Sequence, residues 1–393
     1  MENFVYEYPT RVYFGKDAAK EHLGKALEAF GPNVLLAYGG GSLKRNGIYD
    51  EIMGILHDAG KTVAEFSGIM PNSTYAKVQE GAAFAREHHA DLILAVGGGS
   101  VIDCCKIVAA QAKTAEDIWD MEFTEHRFPT AFVPMGAVVT ASGTGAEMNG
   151  GAVITNEAKN IKTGVFAAAP RFAILDPEYT MTVPDSQVIS GAFDTLSHAM
   201  ETYFGRADRD NVSDEIAEAV MRSTIVNMRT LLADMSDYTA RSNLMWTSAM
   251  AENGILKVGR MTDFQAHQIE HQLGAYTDCN HGQGLAVIHP ALYRLAAKKA
   301  PAKFARFASK VWGIPAEGRT EEELAAAGVD VLADFIRECG LPTCLRELRM
   351  KSNAAELLTP ALLKEIAESC NLIQSSYAAL NHEDIYGILT DCL

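Results

Sequence analysis

The sequence is short of everything that would tie it to a membrane, a nucleic acid or an oxidising compartment. No apolar run reaches the ~20 residues that span a bilayer, which excludes a transmembrane helix. The opening Met1-Glu2-Asn3-Phe4-Val5-Tyr6 has no basic stretch followed by an apolar core, so no secretory signal is expected. Positive charge is scarce. Thirty-four lysines and arginines against 50 acidic residues leave a formal charge of -16, the wrong sign for nucleic acid or an anionic bilayer. The seven cysteines are odd in number and include no C-x-x-C pair, so they read as reduced thiols of a cytoplasmic protein. A G-x-G-x-x-G dinucleotide fingerprint is also missing.

What is present fits two domains. A chain of 393 residues is too long for one core. Its first part alternates short apolar strands with amphipathic helices. Strands are expected at Val12–Gly15, Asn33–Tyr38, Lys61–Phe66, Asp91–Val96 and Thr130–Pro134. Helices are expected over Asp17–Phe30 with Asp17 as N-cap, Leu43–Ala59, from Ser73 or Thr74 to His89, and from Ser100 to Ala112. This alternation implies a parallel sheet covered on both faces. Beyond Leu175-Asp176-Pro177 the strand pattern stops, and helical patterns such as Val212–Ala233, Ser242–Leu256, Pro290–Lys298 and Pro360–Tyr377 take over. The expected division is a Rossmann-like α/β dinucleotide-binding domain over 1–182 and an all-helical metal-binding, catalytic domain over 183–393.

Glycine clusters close three of the expected strands. Gly97-Gly98-Gly99-Ser100 runs from a strand into a helix, where bare backbone N–H groups and the helix N-terminus suit a diphosphate. Asp103 and Lys106 on the following helix make the signal more specific, although a tight turn and a solvated lysine would leave the same trace. Gly39-Gly40-Gly41-Ser42 closes an earlier strand, where an adenosine ribose would lie. An acidic residue there would repel a 2′-phosphate; here the loop is neutral, and Ser42, Lys44 and Arg45 can accept the phosphate of NADP. Val139 to Glu147, with Thr140 and Thr144, offers hydroxyls for the diphosphate or the nicotinamide ribose. Lys162 can reach a cofactor oxygen.

Five residues point to a metal. Asp194 and His198 stand at i and i+4 on a predicted helix, one above the other. His267 and His271 repeat that spacing, and a short loop returns His281 to them. Gln268 occupies the place of the glutamate in H-E-x-x-H, which excludes that metalloprotease motif. A carboxylate with three neutral imidazoles suits Zn2+ or Fe2+ rather than Mg2+ or Ca2+. Four histidines compete for three places, and spacing alone leaves the odd one undecided. Cys279, beside the cluster, is either a ligand, a reactive thiol or a spectator.

Together these pieces resemble the iron-containing (group III) alcohol dehydrogenases, and most of all their butanol dehydrogenase-like, NADP(H)-using branch. The resemblance spans nearly the whole chain. It implies Asp194, His198, His267 and His281 as ligands of one divalent metal, with His271 the spare histidine beside the substrate. It implies cofactor contacts from Gly97 to Ser100, from Thr140 to Thr144 and from Lys162, and it sets Gly39 where NAD-using relatives carry an acidic residue. The implied activity is hydride transfer between NADP(H) and a primary alcohol or aldehyde such as butanol or butanal, in a homodimer joined through the N-terminal strand. Two departures stand out: Pro71-Asn72-Ser73, and Asp278-Cys279-Asn280 before His281. Rival readings are a dehydroquinate synthase-like lyase, a polyol dehydrogenase and a non-catalytic sensor.

Overall fold

A computed structural model describes residues 3–207, 209–352 and 357–393. The chain divides into two compact units, one from Glu7 to Pro184 and one from Asp185 to Leu393, the latter joined by the N-terminal residues up to Tyr6.

The first unit is built on a six-stranded parallel sheet. Its strands are β1 (Arg11–Phe14), β2 (Asn33–Tyr38), β3 (Thr62–Phe66), β4 (Leu92–Gly97), β5 (Met135–Val139) and β8 (Phe172–Leu175), in the order β1-β8-β5-β4-β2-β3. β4 and β5 are buried at every position, which is why they read as unbroken apolar runs rather than alternating ones. Helices α1 (Ala18–Leu27), α2 (Ser42–Arg45), α3 (Ile48–Asp58), α4 (Tyr75–Glu87), α5 (Gly99–Gln111), α6 (Ile118–Phe123) and α7 (Pro177–Thr180) connect and cover it. The chain steps outward from β2 to β3, then returns to the other side of β2 for β4. Ligands of open parallel sheets bind at the carboxyl ends flanking such a reversal.

Three expectations need correction here. The strand placed at Thr130–Pro134 is Met135–Val139 instead. Pro134 has no N–H for a central ladder, and Gly136 belongs to the strand because a Cβ there would lie 2.2 Å from the Phe172 ring. Asp17 does not cap α1. It sits in the left-handed region at φ 58 with no capping bond, and the Ala18 N–H is taken by Asp176 Oδ2 at 3.1 Å. An antiparallel pair, β6 (Gly151–Asn156) with β7 (Ile161–Phe166), lies outside the main sheet and has no counterpart in the sequence reading.

The second unit is helical. α8 (Asp185–Tyr203), α9 (Val212–Ala233), α10 (Tyr238–Glu252), α11 (Gln265–Thr277), α12 (His281–Lys299), α13 (Pro301–Lys310) and α14 (Glu321–Glu338) are followed by α15 (Pro360–Ser369) and α16 (His382–Asp391). α8 runs through the centre: Phe193, Leu196, Ala199, Met200 and Tyr203 are all fully buried in one core with α9, α11 and α12. The helix expected to reach Tyr377 stops at Ser369, because the Gln265 side chain accepts from Ile373 N and donates to Asn371 O, pinning that stretch in a non-helical path.

Asp176 explains why Leu175-Asp176-Pro177 stands out. Its two oxygens accept from Glu178 N, capping α7, and from Ala18 N, starting α1. Asp176→Ala is expected to cost about 1–2 kcal/mol, as lost caps do. Faster hydrogen exchange at the Ala18 and Glu178 amides, relative to the rest of the α/β unit, is the measurement that checks it.

Candidate metal centre and nucleotide loops

In the helical unit, α8 delivers Asp194 and His198 one turn apart, α11 delivers His267 and His271 one turn apart, and His281 is the first residue of α12. The close seat of α12 on α8 depends on Gly282, where a Cβ would lie 2.2 Å from the Ser190 carbonyl. Asn280 caps α12 and accepts from Ser190 Oγ at 2.7 Å, fixing where the helix starts.

The side chains converge on one carboxylate oxygen. Asp194 Oδ1 lies 3.6 Å from His198 Nδ1, 3.6 Å from His267 Nε2 and 3.5 Å from His281 Nε2. Asp194, His267 and His281 form one set with donor atoms all within 4.8 Å of one another, and Glu270, His271 and His281 form a second. The His198 ring stacks on His267 at 4.5 Å between centroids. His271 stands one step back, stacked on His281 at 5.5 Å, and groups with Glu270 and His281.

Two buried glutamates hold the outer edges of the imidazoles. Glu201 Oε2 bonds His267 Nδ1, and its Oε1 accepts from Ala266 N and His267 N at the start of α11. Glu270 Oε2 bonds His281 Nδ1. Each carboxylate fixes a tautomer and turns Nε2 inward, the usual outer partnership of a metal-binding histidine. Neither glutamate is singled out in the sequence, although Glu201 stands three residues after His198 and Glu270 three after His267, a spacing that puts each on a face beside a candidate histidine. Cys279 is fully buried with Sγ 3.9 Å from Glu270 Oε1, so it backs that carboxylate. Phe264, held at φ 59 just before α11, lays its ring against His267 and His198 at 5.1 and 6.0 Å.

The electrostatics fit a cation. Asp194 Oδ1, His198 Nδ1 and His267 Nε2 are buried with no hydrogen-bond partner, an arrangement that costs free energy unless something positive sits among them. Burial alone would raise the Asp194 carboxyl, but His198, His281 and His267 outweigh it and hold it well below the usual range. Burial likewise opposes charging of His267, yet Glu201 and Asp194 lift it to about 10. His198 is pushed down by burial, partly offset by Asp194. The donor set, nitrogen-rich with one carboxylate, is that of Zn2+ or Fe2+.

In the α/β unit, sheet register lines up the three glycine-rich loops. Tyr38 pairs with Val96 and Gly97 with Val139, so the loops at Gly39, Gly97 and Thr140 leave three adjacent strands at the same edge. Two glycines are demanded by closeness: a Cβ on Gly99 would lie 2.4 Å from Thr144 Oγ1, and one on Gly97 would meet Val101 at 2.6 Å. Gly40 and Gly41 face open space and the Arg45 side chain, respectively. Ser42 opens the short α2, which also carries Lys44.

Lys106 is not a solvated side chain. It is fully buried, bonds Gly151 O and Asn149 Oδ1, and lies 3.4 Å from Asp103 Oδ1. Asp103 Oδ2 accepts from Val153 N at 2.9 Å. The pair therefore ties α5 to β6 beneath the Gly97–Ser100 loop. Lys162 is buried on β7. Lys44 Nζ lies 3.5 Å from Glu65 Oε2 and 4.3 Å above the Tyr49 ring; Glu65 also accepts from Tyr38 and Tyr49. Glu65 escaped notice because it sits in a strand rather than a loop.

A parallel sheet with glycine loops at its reversal point, and a helical unit with a histidine–carboxylate cluster, define a metal-dependent, nucleotide-using oxidoreductase. Two family models match: iron-containing alcohol dehydrogenase over residues 9–177, and the Fe-containing alcohol dehydrogenase family, C-terminal, over 188–393. The chain is 38% identical over 391 residues to a probable NADH-dependent butanol dehydrogenase 2 of Bacillus subtilis, covering 99% of both chains. It is 35% identical over 375 residues to the NADPH-dependent aldehyde reductase YqhD of Escherichia coli, covering 94% of both. The crystal structure of NADH-dependent butanol dehydrogenase A from Thermotoga maritima superposes with a TM-score of 0.90 at 35% identity, covering 100% of this chain and 99% of that one. This chain belongs to the iron-containing alcohol dehydrogenase family.

Removing one outer carboxylate tests the geometry without touching a donor atom. Glu201→Gln is expected to weaken divalent-metal binding about 10- to 100-fold, read by competition against a chromophoric chelator.

Proposed function

We propose that this protein is an NADP(H)-dependent reductase of small primary aldehydes such as butanal, acting reversibly as an alcohol dehydrogenase in the cytoplasm. The observation that carries this reading is the set of buried, partnerless donor atoms around Asp194 Oδ1, in a chain whose family is that of the iron-containing alcohol dehydrogenases. Asp194, His198, His267 and His281 would hold the metal. Gly97 to Ser100 would cradle the diphosphate with backbone N–H groups, with Asp103 supporting that loop from behind. Thr140, Thr144 and Lys162 would bind the nicotinamide half.

When bound, the ion supplies Lewis acidity toward a carbonyl oxygen and the dihydronicotinamide supplies the hydride. The residues do the rest. Glu201 and Glu270 take the Nδ1–H of His267 and His281 and turn each Nε2 inward. His271 carries a proton to or from the substrate oxygen, from its place against His281. Phe264 offers an apolar wall that favours a short alkyl chain.

The NADP(H) preference rests on the loop after β2. Gly39 to Arg45 contains no acid, and Ser42, Lys44 and Arg45 supply a hydroxyl and two cations for a 2′-phosphate. Relatives of both cofactor types exist, so the preference belongs to this chain's own residues. A homodimer would use β1, an edge strand of the sheet with Phe14 exposed.

Two expected outcomes check the reading. Protein stripped of metal should oxidise NADPH with butanal only after Fe2+ or Zn2+ is restored, and His267→Ala should lose both the metal and the turnover. A metal-free His267→Ala enzyme that still turns over would remove the metal assignment. Gly39→Asp should lower the NADPH/NADH ratio of kcat/KM at least tenfold, even though its Cβ must settle 3.1 Å from the Ile69 carbonyl. An unmoved ratio would remove the loop assignment.

A further inference from the structure

Behind Glu201 the buried polar network continues inward to a histidine that no ligand set requires. His289 lies on α12, eight residues beyond His281, and is fully buried. Its Nε2 lies 2.7 Å from Ser197 Oγ. Ser197 Oγ lies 3.5 Å from Glu201 Oε2, the oxygen bonded to His267 Nδ1. Two aromatic rings flank it, Phe193 edge-on at 6.1 Å and Tyr293 at 4.7 Å.

The direction of the chain follows from what each atom can do. Burial pushes His289 down to about 4, so the ring is neutral at ordinary pH with one N–H. Nδ1 is buried without a hydrogen-bond partner. An orphaned N–H is rarer in folded proteins than an under-used acceptor, which puts the hydrogen on Nε2. His289 Nε2–H then donates to Ser197 Oγ, leaving the serine O–H to donate to Glu201 Oε2. An apolar side chain in this pocket would pack equally well against Phe193 and Tyr293 and would leave no nitrogen stranded. A histidine there carries a desolvation cost that its hydrogen bond to Ser197 must offset.

We propose that His289, acting through Ser197, is a positioning residue that fixes the Glu201 carboxylate and thereby strengthens the hold of His267 on the metal. The inference rests on the metal reading given above. Ser197 and Glu201 share α8 with Asp194 and His198, and His289 shares α12 with His281, while the braced His267 stands on α11. The brace serves the His267 side; the Glu270 side has Cys279 instead.

The test uses the full chain, with Zn2+ and Co2+ as probes, titrated into chelator-treated protein against a competing chelator. His289→Phe fills the pocket without an N–H and should weaken metal binding about tenfold, the lower end for outer partners of a ligand. His289→Gln keeps an N–H near the Nε2 position and should restore most of that loss, which a purely space-filling role would not allow. Ser197→Ala should weaken binding in the same sense, and the double variant Ser197→Ala, His289→Phe should be no weaker than the worse single one, as members of one chain require. The Co2+ absorption bands should shift in the same variants. If His289→Phe does not fold as the apoprotein, Ser197→Ala carries the comparison, and adding His289→Gln to it should change metal binding no further, whereas an added loss would overturn the proposal. Folded His289→Phe or Ser197→Ala protein binding within about twofold of the parent, or a double variant that sums the singles, would overturn the proposal. His267→Ala, run in parallel, separates the two readings: if it binds metal as the parent does, the metal assignment falls first.

Discussion

A buried carboxylate that must be answered by positive charge is the constraint on which the helical unit depends. Asp194 is fixed on the central helix of the core, with its Oδ1 surrounded by imidazole nitrogens at about hydrogen-bond-plus distance and by no hydrogen-bond donor of its own. Three helices have to bring their ends or faces to that point. The features that make this feasible are small ones: a glycine at the start of α12 where a Cβ would strike α8, an asparagine cap tied to Ser190, and a glutamate that both caps α11 and orients a ring. Each is a local device serving the same electrostatic requirement.

Much of this was legible in the sequence, and the physical reason is periodicity. Asp194 with His198, and His267 with His271, are one-turn pairs, and helix geometry alone puts each pair on one face. The glycine loops were legible because buried parallel strands read as short apolar runs that end abruptly. The outer glutamates were not legible. Glu201 reaches His267 across 66 positions and Glu270 reaches His281 across 11, and the repeated i+3 spacing from His198 and His267 does not say which ring each will hold. Which histidine stands back was undecidable from spacing as well; it takes three-dimensional placement to set His271 one step away from Asp194.

In the α/β unit the errors also have physical causes. The strand before the threonine-rich loop is expected at Thr130–Pro134 and lies five residues later, because the proline ends the approach and the glycine makes room for Phe172. Asp17 has the composition of a cap but the wrong backbone, and a distant aspartate, Asp176, does the work. Lys106 looks like a surface lysine in a helix, yet α5 is covered on all sides, and its charge is absorbed by the β6 hairpin.

The division of chemistry between the two units has a thermodynamic consequence. Every proposed metal ligand lies after Asp185, and each of the three glycine loops lies before Pro184. A ligand stabilises the folded state of the unit it binds, by an amount set by its concentration relative to its dissociation constant. On the sites proposed above, metal and nucleotide would stabilise separate parts of one polypeptide, the first the helical half and the second the sheet. If Asp194 and its histidines hold a metal as proposed, a chelator would loosen the helical half and leave the sheet half as it was.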